Sequence, residues 1–217
     1  MENVAYKPHL SDEKKLNYPI HIIDDEASVR NACAFFVESL GYSYQLWSDA
    51  RNFLAHVDLK SPGVALIDLR MPYISGEELC HQLNAKNSVI AQIIITGHGD
   101  IDTAVHLLKN GVIDFLQKPI SADKLLLAIE VAIHFTCLKY RQQELMRIYE
   151  QLSPKKQQLF HLMAEGVTNK EIADELCIST RTVEVHRSEI MSKFSCTHIT
   201  QFMSVYHEIK DITENRE

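Results

Sequence analysis

The sequence predicts two folded units: an α/β domain built on a doubly wound sheet of five parallel strands, then an all-α domain of four short helices. Three observations carry this. From Pro19, short apolar runs alternate with amphipathic helical stretches. After Ser121 one helical pattern runs on to about residue 151. From Ser153, helix starts and stops follow at short intervals. The apolar runs at 20–23, 44–47, 64–67, 93–95 and 113–116 are rich in β-branched residues, which suits strands buried on both faces of a parallel sheet. Strands that alternate with helices imply right-handed crossovers. Ligands of such sheets bind at the carboxyl ends of the strands.

The elements follow in order. After the first run, Val29, Cys33, Phe36, Val37 and Leu40 share one helical face, and Gly41 ends that helix. Ser48 is the expected cap of a second helix, Gly76 precedes a third, and Asp100 opens a fourth that stops near Gly111. In the long pattern over 123–151, Leu125, Ala128, Ile129 and Ala132 can pack on the sheet. Its second half is polar and places Leu138, Leu145, Ile148 and Leu152 at roughly heptad spacing, which is either a short dimer seam or a solvated helix. Ser153-Pro154 is a cap followed by Pro at the first helical position. Thr168-Asn169-Lys170-Glu171 is a capping box. Ser179 caps the next helix after a tight turn, and a last helix runs over about 198–209. Two helices joined by such a turn make a helix-turn-helix unit. The expected boundaries are a flexible tail at 1–16, the α/β domain at 17–135, a helical linker at 136–152 and the helical domain at 153–217.

Composition narrows the classes of function. The 217 residues carry a formal charge of -7, and on that total alone a nucleic-acid binder is not expected. Cys33, Cys80, Cys137, Cys177 and Cys196 include no C-x-x-C pair, which argues for reduced, cytoplasmic thiols rather than disulfides or a zinc knuckle. No apolar run reaches the ~20 residues of a membrane span, and the first 16 residues hold no signal-peptide core, so no membrane association is expected. The 11 histidines show no H-E-x-x-H or clustered ligand spacing.

The chemistry gathers at the strand ends. Asp24 and Asp25 follow the first strand and Asp68 follows the third, so three carboxylates should meet at one sheet edge. Such a set repels itself without a cation, and hard oxygen ligands suit Mg²⁺. Thr96 and Lys118 follow the fourth and fifth strands, where a hydroxyl and an ammonium can each hold a phosphoryl oxygen.

With the motifs IIDDE at 22–26, LIDLRMP at 66–72, ITGHGD at 95–100 and DFLQKP at 114–119, residues 19–135 resemble the receiver domain of bacterial two-component response regulators, a flavodoxin-like fold. The resemblance implies roles. Asp68 would be the phosphoacceptor, forming an acyl phosphate. Asp25 would bind Mg²⁺ directly, Asp24 mainly through water, and the Arg70 carbonyl would complete the set. Lys118 would offset charge on the transferring phosphoryl group. Thr96 would swing onto the phosphoryl group and Phe115 would turn inward behind it, and Lys118-Pro119 would be cis. Arg70 and His98 would obstruct the hydrolytic water and lengthen the phosphate's life. The chain would not be an enzyme beyond its own phosphoryl transfer and dephosphorylation.

Residues 152–209 resemble the LuxR-type helix-turn-helix of the NarL/FixJ class. Leu152-Ser153-Pro154, Gly166, Thr168–Ala173 and the run Arg181-Thr182-Val183-Glu184-Val185-His186-Arg187 carry the likeness. Lys156 departs from it, standing where many members place a capping Glu. The helix opened by Ser179 would enter the major groove, with Glu184, Val185, His186 and Ser188 at base edges. Lys170, Thr180, Arg181, Thr182, Arg187 and Lys193 are better placed for phosphates. Dimers would read half-sites about 34 Å apart.

These likenesses imply a transcription factor whose partners are a sensor histidine kinase, promoter DNA, a second copy after phosphorylation and, further downstream, RNA polymerase. A narrower likeness, carried by Asn31–Phe35, Glu38–Tyr42 and Phe115–Pro119, is to the tetrathionate response regulators of respiratory bacteria. Two other classes fit less well. An aspartyl-phosphate phosphohydrolase would leave the helix-turn-helix unexplained. A regulator independent of phosphorylation would leave the full set of Asp24, Asp25, Asp68, Thr96 and Lys118 without a use. The acidic total also divides unevenly. Residues 17–137 hold 14 acids against 8 bases, whereas residues 153–217 hold 10 against 8. DNA binding is therefore expected, weak and salt-dependent for a single copy and useful in a dimer.

Overall fold

The computed structural model describes residues 18–97 and 101–214. The expected N-terminal tail, His98 and the helix-opening Asp100 lie outside the described residues. Two compact units divide between Tyr140 and Arg141, within the helix that bears the expected linker.

The first unit alternates strands and helices: β1 (Ile20–Ile23), α1 (Ala27–Ser39), β2 (Tyr44–Trp47), α2 (Ala50–His56), β3 (Val64–Asp68), α3 (Gly76–Ala85), β4 (Ala91–Thr96), α4 (Ile101–Lys109), β5 (Asp114–Gln117) and α5 (Ala122–Glu150). All strand pairs are parallel, in the order β2-β1-β3-β4-β5. This is the doubly wound α/β fold expected. The chain reverses its direction of winding between β1 and β3, which opens a crevice at their carboxyl ends. Strand alternation sends side chains to two cores. Ile20, Ile22, Val64, Leu66, Ile93 and Ile95 pack with Cys33 and Val37 of α1 and Leu125 and Ile129 of α5. Ile23, Ala65, Ile67 and Ile94 pack with Phe53, Leu79 and Leu83 from α2 and α3 and with Leu107 of α4. The hydroxyl of Thr136, wholly buried, donates to the Val89 carbonyl and accepts from the Gly63 N–H, pinning α5 to the amino-terminal edge of the sheet.

Three expectations change here. The run at 44–47 is not buried on both faces, because β2 is an edge strand; Tyr44 and Leu46 are exposed. The second helix is capped by Asp49, not Ser48: its carboxylate accepts from the N–H groups of Arg51 and Asn52. Gly76 does not precede α3 but begins it, with Ser75 as the cap.

The second unit holds α6 (Pro154–Ala164), α7 (Asn169–Leu176), α8 (Thr180–Lys193) and α9 (Ile199–Glu214). Phe160, Phe202, Leu159, Ile172, Val183 and Ile190 form its centre. Leu145, Met146 and Leu152 are buried in the same core, with Ile148 against it. The heptad spacing of Leu145, Ile148 and Leu152 is therefore not a free dimer seam, since those side chains already cover α6 and its neighbours. Thr168 and Glu171 form the expected capping box, and Ser179 caps α8 through the Thr182 N–H. Ser153 occupies the cap position of α6 without a side-chain bond to it.

Candidate functional site

The acidic pocket lies where β1, β3, β4 and β5 end. Asp24 and Asp68 are both almost fully buried, and Lys118 reaches between them. Its Nζ donates to Asp68 Oδ1 at 2.6 Å and to Asp24 Oδ2 at 2.9 Å. The other Asp68 oxygen accepts from the Arg70 N–H at 2.8 Å. Asp24 Oδ1 accepts from the Glu26 N–H, which turns the chain out of β1 into α1. Arg30 donates to the Asp24 carbonyl, a contact between residues six apart that no local motif signals. β5 delivers Lys118 by register: Thr96 pairs with Gln117, and the Lys118 N–H donates to the Thr96 carbonyl at 2.7 Å. The Lys118-Pro119 bond is cis. The Thr96 side chain is buried at the same edge, and Phe115 is half-buried against the core containing Ile23 and Ile67.

Electrostatics follow from the burial. Desolvation raises the Asp68 pKa, the Lys118 bond opposes that rise, and the negative neighbour Asp24 reinforces it. For Lys118, burial opposes the charge, but the bonds to Asp68 and Asp24 prevail and hold its pKa above the ordinary value. A buried carboxylate kept in contact with a cation, with one face toward an open strand edge, is suited to act as a nucleophile toward an electrophilic phosphorus.

Asp24 and Asp68 converge on Lys118, and Asp25, the next residue after Asp24, is exposed. Among the described residues no three acidic, histidine or cysteine side chains are grouped to hold a cation. The donor chemistry nevertheless fits a hard cation, with Asp24 and Asp68 buried at the strand ends, Asp25 exposed beside Asp24 and Arg70 two residues beyond Asp68.

The second unit presents α8 as its polar face. At about 100° per residue, Arg181, Glu184, Val185 and Ser188 share one arc, opposite the buried Val183 and Ile190, and all four are exposed. Lys170, Thr180 and Lys193 are exposed as well. Thr182 and Arg187 are half-buried, and the Thr182 hydroxyl is tied to Ser179 Oγ at 2.8 Å. His186, expected at the base edges, stands apart from the other three. It lies about a third of a turn round from that arc, half-buried, with Nδ1 3.3 Å from Glu189.

Residues 20–130 match the response regulator receiver domain family, and residues 150–206 match the bacterial regulatory proteins of the luxR family. The chain belongs to the response regulators. Over 190 residues this response regulator is 40% identical to the tetrathionate response regulatory protein TtrR of Salmonella typhimurium strain LT2, spanning 88% of this chain and 92% of that one. It is 37% identical over 210 residues to the response regulator protein TodT of Pseudomonas putida F1, spanning 95% and 91%. The solved structure of the response regulator StyR aligns at a TM-score of 0.68 and 33% identity, covering 88% of this chain and 99% of that one. A response regulator with a receiver and a LuxR-type DNA-binding domain is a two-component transcription factor, not a conventional enzyme; its class works with a sensor kinase and DNA. No helix among the described residues is long and apolar enough to cross a membrane.

Proposed function

We propose that phosphorylation of Asp68 by a sensor histidine kinase activates this response regulator for promoter binding. The supporting observation is the pair of bonds from Lys118 and Arg70 that orients the buried Asp68 carboxylate at the end of β3. One Asp68 oxygen would attack phosphorus as the phosphorus–nitrogen bond of the kinase's phosphohistidine breaks and its imidazole leaves, and Lys118 would follow the phosphoryl oxygens as their charge develops. Asp24, Asp25, Asp68 and the Arg70 carbonyl would hold Mg²⁺, which receiver domains generally bind; it would supply charge neutralisation of the incoming phosphoryl group. Thr96 would then contact the phosphoryl group and Phe115 would move inward, shifting a population already present toward the active state. Arg70, with His98, would slow hydrolysis.

The active state would dimerise through α4, β5 and α5, where Leu108, Leu127, Val131 and Phe135 are exposed. The exposed arc of α8 would read bases, and RNA polymerase would be the downstream partner. We place the protein in the cytoplasm, where kinase output domains and DNA are found together. The narrower proposal, control of tetrathionate respiration genes, rests on the 40% identity to TtrR. Selection of bound genomic fragments tests it, and recovery of unrelated promoters alone would refute it. The central test is DNA binding with and without a small phosphodonor and Mg²⁺. Asp68→Asn should abolish both phosphate incorporation and the donor-dependent gain in binding. Undiminished incorporation at the same stoichiometry would refute the assignment.

A further inference from the structure

Lys156 lies in the first turn of α6, where a capping acid would complete the helix start, and its charge is spent elsewhere. Its Nζ is 2.7 Å from Glu189 Oε2 of α8. The same oxygen is 3.3 Å from His186 Nδ1. A carboxylate can only accept, so both groups donate to it. Two donors from two helices thus converge on one acceptor. The site is no buried structural tie, because the Glu189 side chain is 46% exposed. Thr182, His186, Glu189 and Lys193 fall within one arc of α8, beside the exposed arc of Arg181, Glu184, Val185 and Ser188. When the exposed arc enters a major groove, the flank beside it runs along the phosphates. A carboxylate on that flank repels the phosphate backbone and occupies the ammonium that would otherwise reach it.

We propose that Glu189 is a specificity-determining restraint: by engaging Lys156 and His186 it keeps them off the DNA backbone and limits sequence-independent binding. The inference rests on the DNA-binding reading of α8. Its consequence is a larger ratio of specific to non-specific affinity, because phosphate contacts strengthen every sequence alike whereas the exposed arc of α8 does not change. Glu189 is a positioning residue; it need not touch a base.

The test is a double-variant cycle in the full chain, measured as binding to a scrambled duplex across a salt series. Glu189→Gln should raise non-specific affinity roughly five- to ten-fold near 0.1 M salt and steepen the log–log salt slope by about one, the signature of one added phosphate contact. Lys156→Met alone should leave that slope unchanged, because Lys156 is already engaged. In the Glu189→Gln background, Lys156→Met should remove the gain. An additive cycle would overturn the proposal, since removal of one negative charge would then explain everything. An unchanged slope in Glu189→Gln would overturn it too, and so would a fall in slope for Lys156→Met alone. The last result stands even if Glu189→Gln fails to fold. If the wild type binds no duplex at low salt, the DNA-binding reading itself falls and the restraint falls with it. If the wild type binds and the cycle is additive, only the restraint falls.

Discussion

At the residue scale, Lys118 is both the counter-ion of the pocket and its geometric ruler, because a single ammonium bonds two buried carboxylates. Its place and that of Asp68 were legible in the sequence: each follows an apolar run, and parallel strands bring such positions to one edge. His21 was not legible. It sits in the middle of β1, almost fully buried, accepting from Trp47 Nε1 and meeting Phe53 edge-on at 5.3 Å. Burial lowers its pKa to about 4, against 6.5 ordinarily. The folded state therefore resists protonation that the unfolded chain accepts. Stability is full above pH 6.5 and falls as pH drops toward 4, where the total loss from this residue is about 3 kcal/mol. Urea unfolding of the receiver should show about 2 kcal/mol of that loss between pH 7.5 and 5. His21→Gln should lack it. A variant with the same pH slope as the wild type would contradict this account.

At the scale of elements, the link between β3 and α3 ties the fold to the pocket. A Cβ at Gly76 would overlap the Asp68 carbonyl oxygen, because α3 starts directly against the end of β3. Gly76→Ala should cost about 1–3 kcal/mol, as other overpacking changes do, and should shift Asp68 enough to slow phosphate uptake. A denaturant midpoint and an uptake rate both equal to wild type would exclude that coupling. The sequence marked Gly76 as a boundary but not as a contact, since the clash lies eight residues back along the chain. The same limit explains the cap of α2. Ser48 and Asp49 are adjacent and both can cap, and only the backbone conformation selects Asp49. The capping box at Thr168–Glu171 was legible because its two partners lie within one helical turn.

At the scale of the whole molecule, the long helix α5 serves the cores of both units. Leu125 and Ile129 complete one core of the receiver, and Leu145 and Met146 complete the core of the DNA-binding unit. Leu145→Ala or Leu152→Ala should therefore lower the stability of that unit by about 2–4 kcal/mol while leaving donor-dependent dimerisation intact. Sedimentation together with thermal unfolding distinguishes the outcomes; loss of dimer at an unchanged unfolding midpoint would restore the seam. The sequence alone determined what depends on local order. It set the alternation of strand and helix, the residues at strand ends, the capping box and the helix-turn-helix, because periodicity and turn chemistry act over a few residues. Only the tertiary structure decided what depends on approach between distant segments. It left Asp25 exposed while Lys118 joined Asp24 to Asp68. It buried Leu145 and Leu152, and it paired Lys156 with Glu189. Which side chain meets which is set by packing in three dimensions, where residues far apart in the chain compete for the same partner.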